Sequence, residues 1–123
     1  MAQSLAPTKL ELLITIIDKN KAEFYADLIQ SFDVNLQLFT LAKGTAGTDM
    51  MNYLGLSDSE KVVLFSVVRE DRLEAITETL SEKFKSIRGG SGIAVSIPFT
   101  SMIGTLVYGF LSNEKEMVKG DAQ

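Results

Sequence analysis

Apolar and polar positions alternate along this chain in a way that separates short strands from amphipathic helices. Lys9 to Ile17 reads KLELLITII, rich in Leu and Ile and short for a helix, which predicts a buried strand. From Lys19 to Phe32 the spacing turns helical: Phe24, Tyr25, Leu28, Ile29 and Phe32 form one apolar stripe, with Asn20 as the expected N-cap. Asn35 to Ala42 alternates again and predicts a half-buried strand. A polar, glycine-rich stretch follows, Lys43 to Glu60. Lys61 to Val68, KVVLFSVV, predicts a third strand. Glu70 to Lys85 carries Leu73, Ile76, Leu80 and Phe84 three and four residues apart, the spacing of a second helix. Arg88 to Gly92 breaks that helix, Ile93 to Ile97 predicts a fourth strand before Pro98, and from Ser112 the chain is polar and expected to fray.

The order β-α-β-β-α-β predicts a ferredoxin-like α+β fold, an antiparallel four-stranded sheet with two helices on one face. The 123 residues fit a single domain, with an ordered core over about residues 9–110 and a polar tail over 112–123. Two helices cover only one face of such a sheet. Leu12, Leu13, Ile14, Ile16 and Ile17 nonetheless run almost unbroken, and continuous apolar strands are built to be buried on both faces. The second face is therefore expected to be covered by oligomerisation.

Composition then removes function classes. The hydrophobic fraction of 46% and charged fraction of 23% are those of an ordinary globular chain. With no cysteine and no histidine, there is no thiolate nucleophile, no disulfide, no imidazole base and no imidazole or thiolate metal ligand. The carboxylates Glu70, Asp71, Glu74, Glu78 and Glu82 fall on the polar face of the second helix, where solvation and (i, i+4) pairing account for them. The expectation is a protein that is not an enzyme. A net charge of −4 opposes binding to nucleic acid phosphates. No apolar run reaches the roughly 18 residues of a membrane span, and Met1 to Thr8 lacks the features of a secretion signal, which leaves a cytoplasmic location as the expectation.

Short motifs in this frame carry a resemblance. Lys43-Gly44, at the end of the second strand, resembles the pair that opens the T-loop of nitrogen regulatory PII proteins. Gly90-Ser91-Gly92, after the second helix, resembles the Gly-x-Gly of their nucleotide-contacting B-loop, and Gly92 to Pro98 is similar to their proline-ended fourth strand. The resemblance spans about residues 9–104. It implies a homotrimer, ATP or ADP bound in clefts between subunits, sometimes with 2-oxoglutarate, and control of a target protein through the T-loop. The chain departs from the family pattern at Ile93, where a phosphate-contacting lysine is usual. It departs again over Thr100 to Leu106, where two arginines are usual and no basic residue occurs.

Each candidate segment has a functional and a structural reading. Arg88, Gly89, Gly90, Ser91 and Gly92 suit an anion cradle, since glycines let backbone N–H groups converge and Arg88 adds charge; they equally suit a helix C-cap and turn. Lys43, Gly44 and Thr45 offer a cation, room for close approach and a hydroxyl, or form a plain loop. Met50, Met51, Tyr53, Leu54 and Leu56 make an apolar surface on the loop, for docking a partner or for folding back as core. Two functions follow. One is a PII-like regulator sensing a small ligand, with ATP or ADP as its candidate, and acting through loop 43–60. The other is a ligand-free trimeric module that docks a partner through residues 48–56.

Overall fold

The computed structural model describes residues 8–42, 60–87 and 91–113. Its elements are β1 (Leu10–Asp18), a 3-10 turn (Lys19–Lys21), α1 (Ala22–Gln30), β2 (Leu36–Ala42), β3 (Lys61–Arg69), α2 (Glu70–Ser86), β4 (Gly92–Pro98) and α3 (Thr105–Ser112). The four strands make one antiparallel sheet in the order β2-β3-β1-β4. This is the ferredoxin-like arrangement expected from the apolar pattern, with α3 added.

Period-two alternation assigns each strand residue to a face. Leu13 and Ile17 of β1, with Val62, Leu64 and Val68 of β3, face the helices and pack on Tyr25 and Ile29 of α1 and Ile76 and Leu80 of α2. The Tyr25 ring leans on Phe84 at 5.3 Å between centroids, and burial pushes its phenol pKa up. Thr15 lies between Leu13 and Ile17 on this covered face. Its hydroxyl is fully buried and has no hydrogen-bond partner among the described residues. A buried, unbonded hydroxyl loses its hydration without replacement, so Thr15→Val is expected to raise unfolding free energy by about 1 kcal/mol. Urea denaturation of the two proteins at equal concentration checks this, and equal or lower stability of the variant contradicts it.

Helix ends follow local chemistry, with one difference from the expected start. Asn20 lies inside the 3-10 turn and does not cap α1, whose N-cap position is Lys21 without a side-chain bond. The backbone N–H of Lys19 is already committed to the carbonyl of Glu60, 2.9 Å away, so the chain turns tightly here before the α-helix begins. In α2 the acids Glu70 and Asp71 stand at the positive end and Lys83 and Lys85 at the negative end, complementing the helix dipole. The Arg69 guanidinium bonds both oxygens of Asp71, at 3.0 and 2.7 Å, and holds its carboxyl below the usual range.

The other sheet face is an apolar grid. Register places Leu36–Val67–Leu12–Ile97 in one row across all four strands, Leu38–Phe65–Ile14–Val95 in the next and Thr40–Val63–Ile16–Ile93 in the third. No member is charged. Leu38 and Val95 are 59% and 52% exposed, so the middle row is bare toward both edges. β2 is exposed on its helix side too, at Phe39 and Leu41, where the sequence predicted half burial. The reason is that, among the described residues, the helices pack over β1, β3 and β4 and leave β2 largely uncovered.

α3 occupies one end of this grid, over residues to which the sequence reading assigned no element and of which only Ser112 was expected to belong to the polar tail. Leu111 packs on Leu10 and Val67, beside Leu12, Phe99, Met102 and Tyr108. Polar bonds fix the helix in place: the Tyr108 hydroxyl donates to the Thr8 carbonyl, Arg69 Nη1 to the Ser112 carbonyl at 3.3 Å, and Asn35 Nδ2 to the Phe110 carbonyl at 2.7 Å. Asn113 ends it in the left-handed conformation at φ 61°, a position that asparagine tolerates.

Candidate functional site

The sheet register brings the two predicted ligand segments to one end of the molecule. Ala42 is paired directly with Lys61, so loop 43–59 leaves and returns on neighbouring strands. In the adjoining row Ile17 is paired with Val62 on one side and Gly92 on the other. Val62 and Gly92 are therefore two strand spacings apart, about 10 Å. The root of the first loop and the exit of the second thus lie at the same end of the sheet.

Of the residues expected to bind ligand, Ser91 and Gly92 are described; Lys43, Gly44, Thr45, Arg88, Gly89 and Gly90 lie outside the described residues. So do the docking candidates Met50, Met51, Tyr53, Leu54 and Leu56. Ser91 is exposed at the mouth of β4. Gly92 has a packing reason to be glycine. A Cβ there would stand 2.8 Å from the Ile16 carbonyl oxygen, 2.8 Å from Ile17 Cγ2 and 2.9 Å from the Phe84 ring.

Between the two segments lies a polar clamp absent from the sequence reading. The Lys61 ammonium is paired with the Asp18 carboxylate, and both side chains are nearly buried, 11% and 13% exposed. They close the loop end of the apolar grid, since Asp18 and Lys61 are cross-strand partners on that face. A second pair, Lys19 Nζ with Glu60 Oε2 at 3.1 Å, is solvent-exposed and adds little stability, but it repeats the link between the β1–α1 turn and the loop root. The available signal was an acid ending one apolar strand and a lysine opening another; only the antiparallel register shows that they meet.

A groove of about 380 Å³ opens at the far end of the sheet, where Lys9, Phe99, Met102 and Tyr108 line it with the hydroxyls of Thr100, Ser101 and Thr105. β4 runs its full length between Gly92 and this groove, roughly 20 Å. Within one chain, therefore, Thr100 to Thr105 cannot touch a ligand held at Gly92. Among the described residues no three His, Cys, Asp or Glu side chains gather into a metal-binding group, and no helix is long and apolar enough to cross a membrane.

The arrangement of strands and helices is that of the PII-like proteins. CPII from Thiomonas intermedia K12, in a structure bound to ADP, AMP and acetate, superposes with a TM-score of 0.58 at 19% identity, over 82% of this chain and 94% of that one. A PII-like signaling protein from Thermus thermophilus superposes at 0.56 with 15% identity, over 75% of this chain and 87% of that one. The apo form of CPII, described as a nitrogen regulatory PII-like protein, gives 0.51 at 21% identity, over 74% and 91%. No family model and no curated protein matches the sequence itself. The Thermus thermophilus protein is described as a signaling protein and CPII as a nitrogen regulatory PII-like protein.

Proposed function

We propose that this chain is a PII-like regulator, a homotrimer that binds an adenine nucleotide between subunits and controls a target protein through loop 43–60. The observation that carries the reading is the convergence of the two loop roots, Ala42–Lys61 and Ser91–Gly92, at one end of a PII-like sheet. Arg88 supplies the cation and the amides of Gly89 to Gly92 the donors for phosphate; Lys43, Gly44 and Thr45 approach the same ligand from a neighbouring subunit. The bare apolar grid supports the trimer, because a face of that chemistry is stable only when covered. CPII structures with ADP and AMP support the class of ligand. Ligand binding would order or release the loop and so alter what Met50, Met51, Tyr53, Leu54 and Leu56 dock against.

A ligand-free trimeric docking module is the second reading, and one observation favours it. Lys61, the described lysine at the loop root, is already held by Asp18, and Ile93 and Thr100 to Leu106 add no cation. Isothermal titration calorimetry with ATP, ADP and AMP separates the two. Micromolar binding of ADP or ATP, weakened at least tenfold by Arg88→Ala, is expected for the regulator. An absence of heat with all three nucleotides would retire it in favour of the docking module.

A further inference from the structure

β2 is apolar on both faces, and only one of them belongs to the grid. Register puts Phe39 in line with Leu64 and Thr15, and Leu41 in line with Val62 and Ile17, on the side of the sheet where the helices lie. The β3 and β1 residues of those two lines are buried, whereas Phe39 and Leu41 are 67% and 61% exposed. A strand with large apolar side chains on both faces is built to be covered on both. Among the described residues neither helix covers this pair, since they pack over β1, β3 and β4. Two side chains also fall far short of the roughly 800 Å² that a stable partner interface buries on each side. A segment of the same chain needs much less contact, because its tether holds it at an effective concentration of about a millimolar.

Such a segment begins beside the bare pair. The chain leaves β2 at Ala42, one residue beyond Leu41, and returns at Lys61 directly opposite. Between them Met50, Met51 and Leu54 stand one, three and four positions apart, the spacing of a short apolar helix face, and residues 50–57 include no Asp, Glu, Lys or Arg. Reach is sufficient: the chain from Ala42 to Met51 extends up to about 30 Å, whereas Phe39 lies only about 10 Å back along β2. The sequence left these side chains two readings, docking a partner or folding back as core, and β2 offers the second a place.

We propose that Met50, Met51 and Leu54 pack on Phe39 and Leu41 of their own chain and cover the helix side of β2. The contact needs neither nucleotide nor trimer; in a role that rests on the regulator proposed above, it is the resting position from which a target draws the docking residues. Methionine oxidation tests it, since a packed thioether is shielded from peroxide. The full chain is treated with hydrogen peroxide, folded and in urea, and Met50, Met51 and Met102 are followed by peptide mass spectrometry. Met102, packed beside Leu10 and Val67, reports whether the fold is intact. Met50 and Met51 are expected to oxidise about tenfold more slowly in the folded chain than in urea. The double variant Phe39→Ser/Leu41→Ser is expected to remove that protection and leave Met102 unchanged. Met50 and Met51 oxidising as fast folded as in urea overturns the contact, and so does protection that survives the double variant. The absence of cysteine allows a second measurement. A Leu41→Cys/Met51→Cys chain treated with a short bis-maleimide is expected to link within itself; mixed heavy-isotope and light chains that link mainly to each other place the segment on a neighbour and overturn the proposal. None of these outcomes alters the nucleotide calorimetry, so the two readings fail separately.

Discussion

Lys61→Ala is expected to lower the unfolding free energy by about 3 kcal/mol, because it takes the ammonium away from the Asp18 carboxylate in a site that is almost closed to water. The direction follows from desolvation. A nearly buried carboxylate has given up most of its hydration, and the ammonium opposite offsets part of that loss at the end of an apolar grid beside Ile16 and Val63. The reciprocal Asp18→Ala is expected to cost a similar amount. The double variant Asp18→Asn/Lys61→Met, which removes both charges and keeps the volumes, is expected to recover most of the loss. Urea unfolding at fixed protomer concentration measures all three, with concentration held because assembly shifts apparent stability. Single variants within about 0.5 kcal/mol of the wild type would mean that water reaches the pair and that the clamp is an ordinary surface contact.

Gly92→Ala should cost about 2 to 3 kcal/mol even with no ligand present. The added methyl meets three atoms at or below 2.9 Å, and one of them is the Ile16 carbonyl oxygen, which belongs to the sheet ladder and cannot step aside. The Phe84 ring can yield more easily, so Phe84→Leu in the same background is expected to return only part of the loss. The outcome separates two roles for one glycine. A destabilised apo protein assigns it to packing between β4, β1 and α2. An apo protein of unchanged stability that no longer binds nucleotide assigns it to the ligand.

The strands and both long helices were legible because their signals are strong and local. Ile76 and Leu80 in α2, and the alternation of β1 and β3, fall where period 3.6 and period 2 place them. The order of elements then restricted the topology. Other features were not legible, each for a physical reason. α3 is two turns long and contains Gly109 and the β-branched Val107, so its propensity is weak; contacts of Leu111, Tyr108 and Asn35 hold it instead, and none of these is local. The Asp18–Lys61 clamp joins residues far apart in sequence that only the register makes neighbours. Gly92 was singled out for its motif, whereas the described structure adds a steric reason that depends on the position of Phe84. At the candidate site, the shared location of the two loop roots follows from topology and was implicit in the strand order. The position of Thr100 to Thr105 at the opposite end, a full strand length away, was not.

The strand order has a consequence for synthesis of the chain. β1 is made before both of its sheet neighbours and is a central strand of the finished sheet, paired through Ile17 with both Val62 and Gly92. Neither neighbour exists when LELLITIID leaves the ribosome, so the most apolar strand waits unpaired until β3, and then β4, are translated. Its contacts are long-range, and such topologies fold slowly relative to helical ones of the same size. The nascent protein therefore passes through a stage in which both edges of this apolar strand are open, and chaperones that hold extended apolar segments are expected to engage residues 10–18 until β3 and β4 are made.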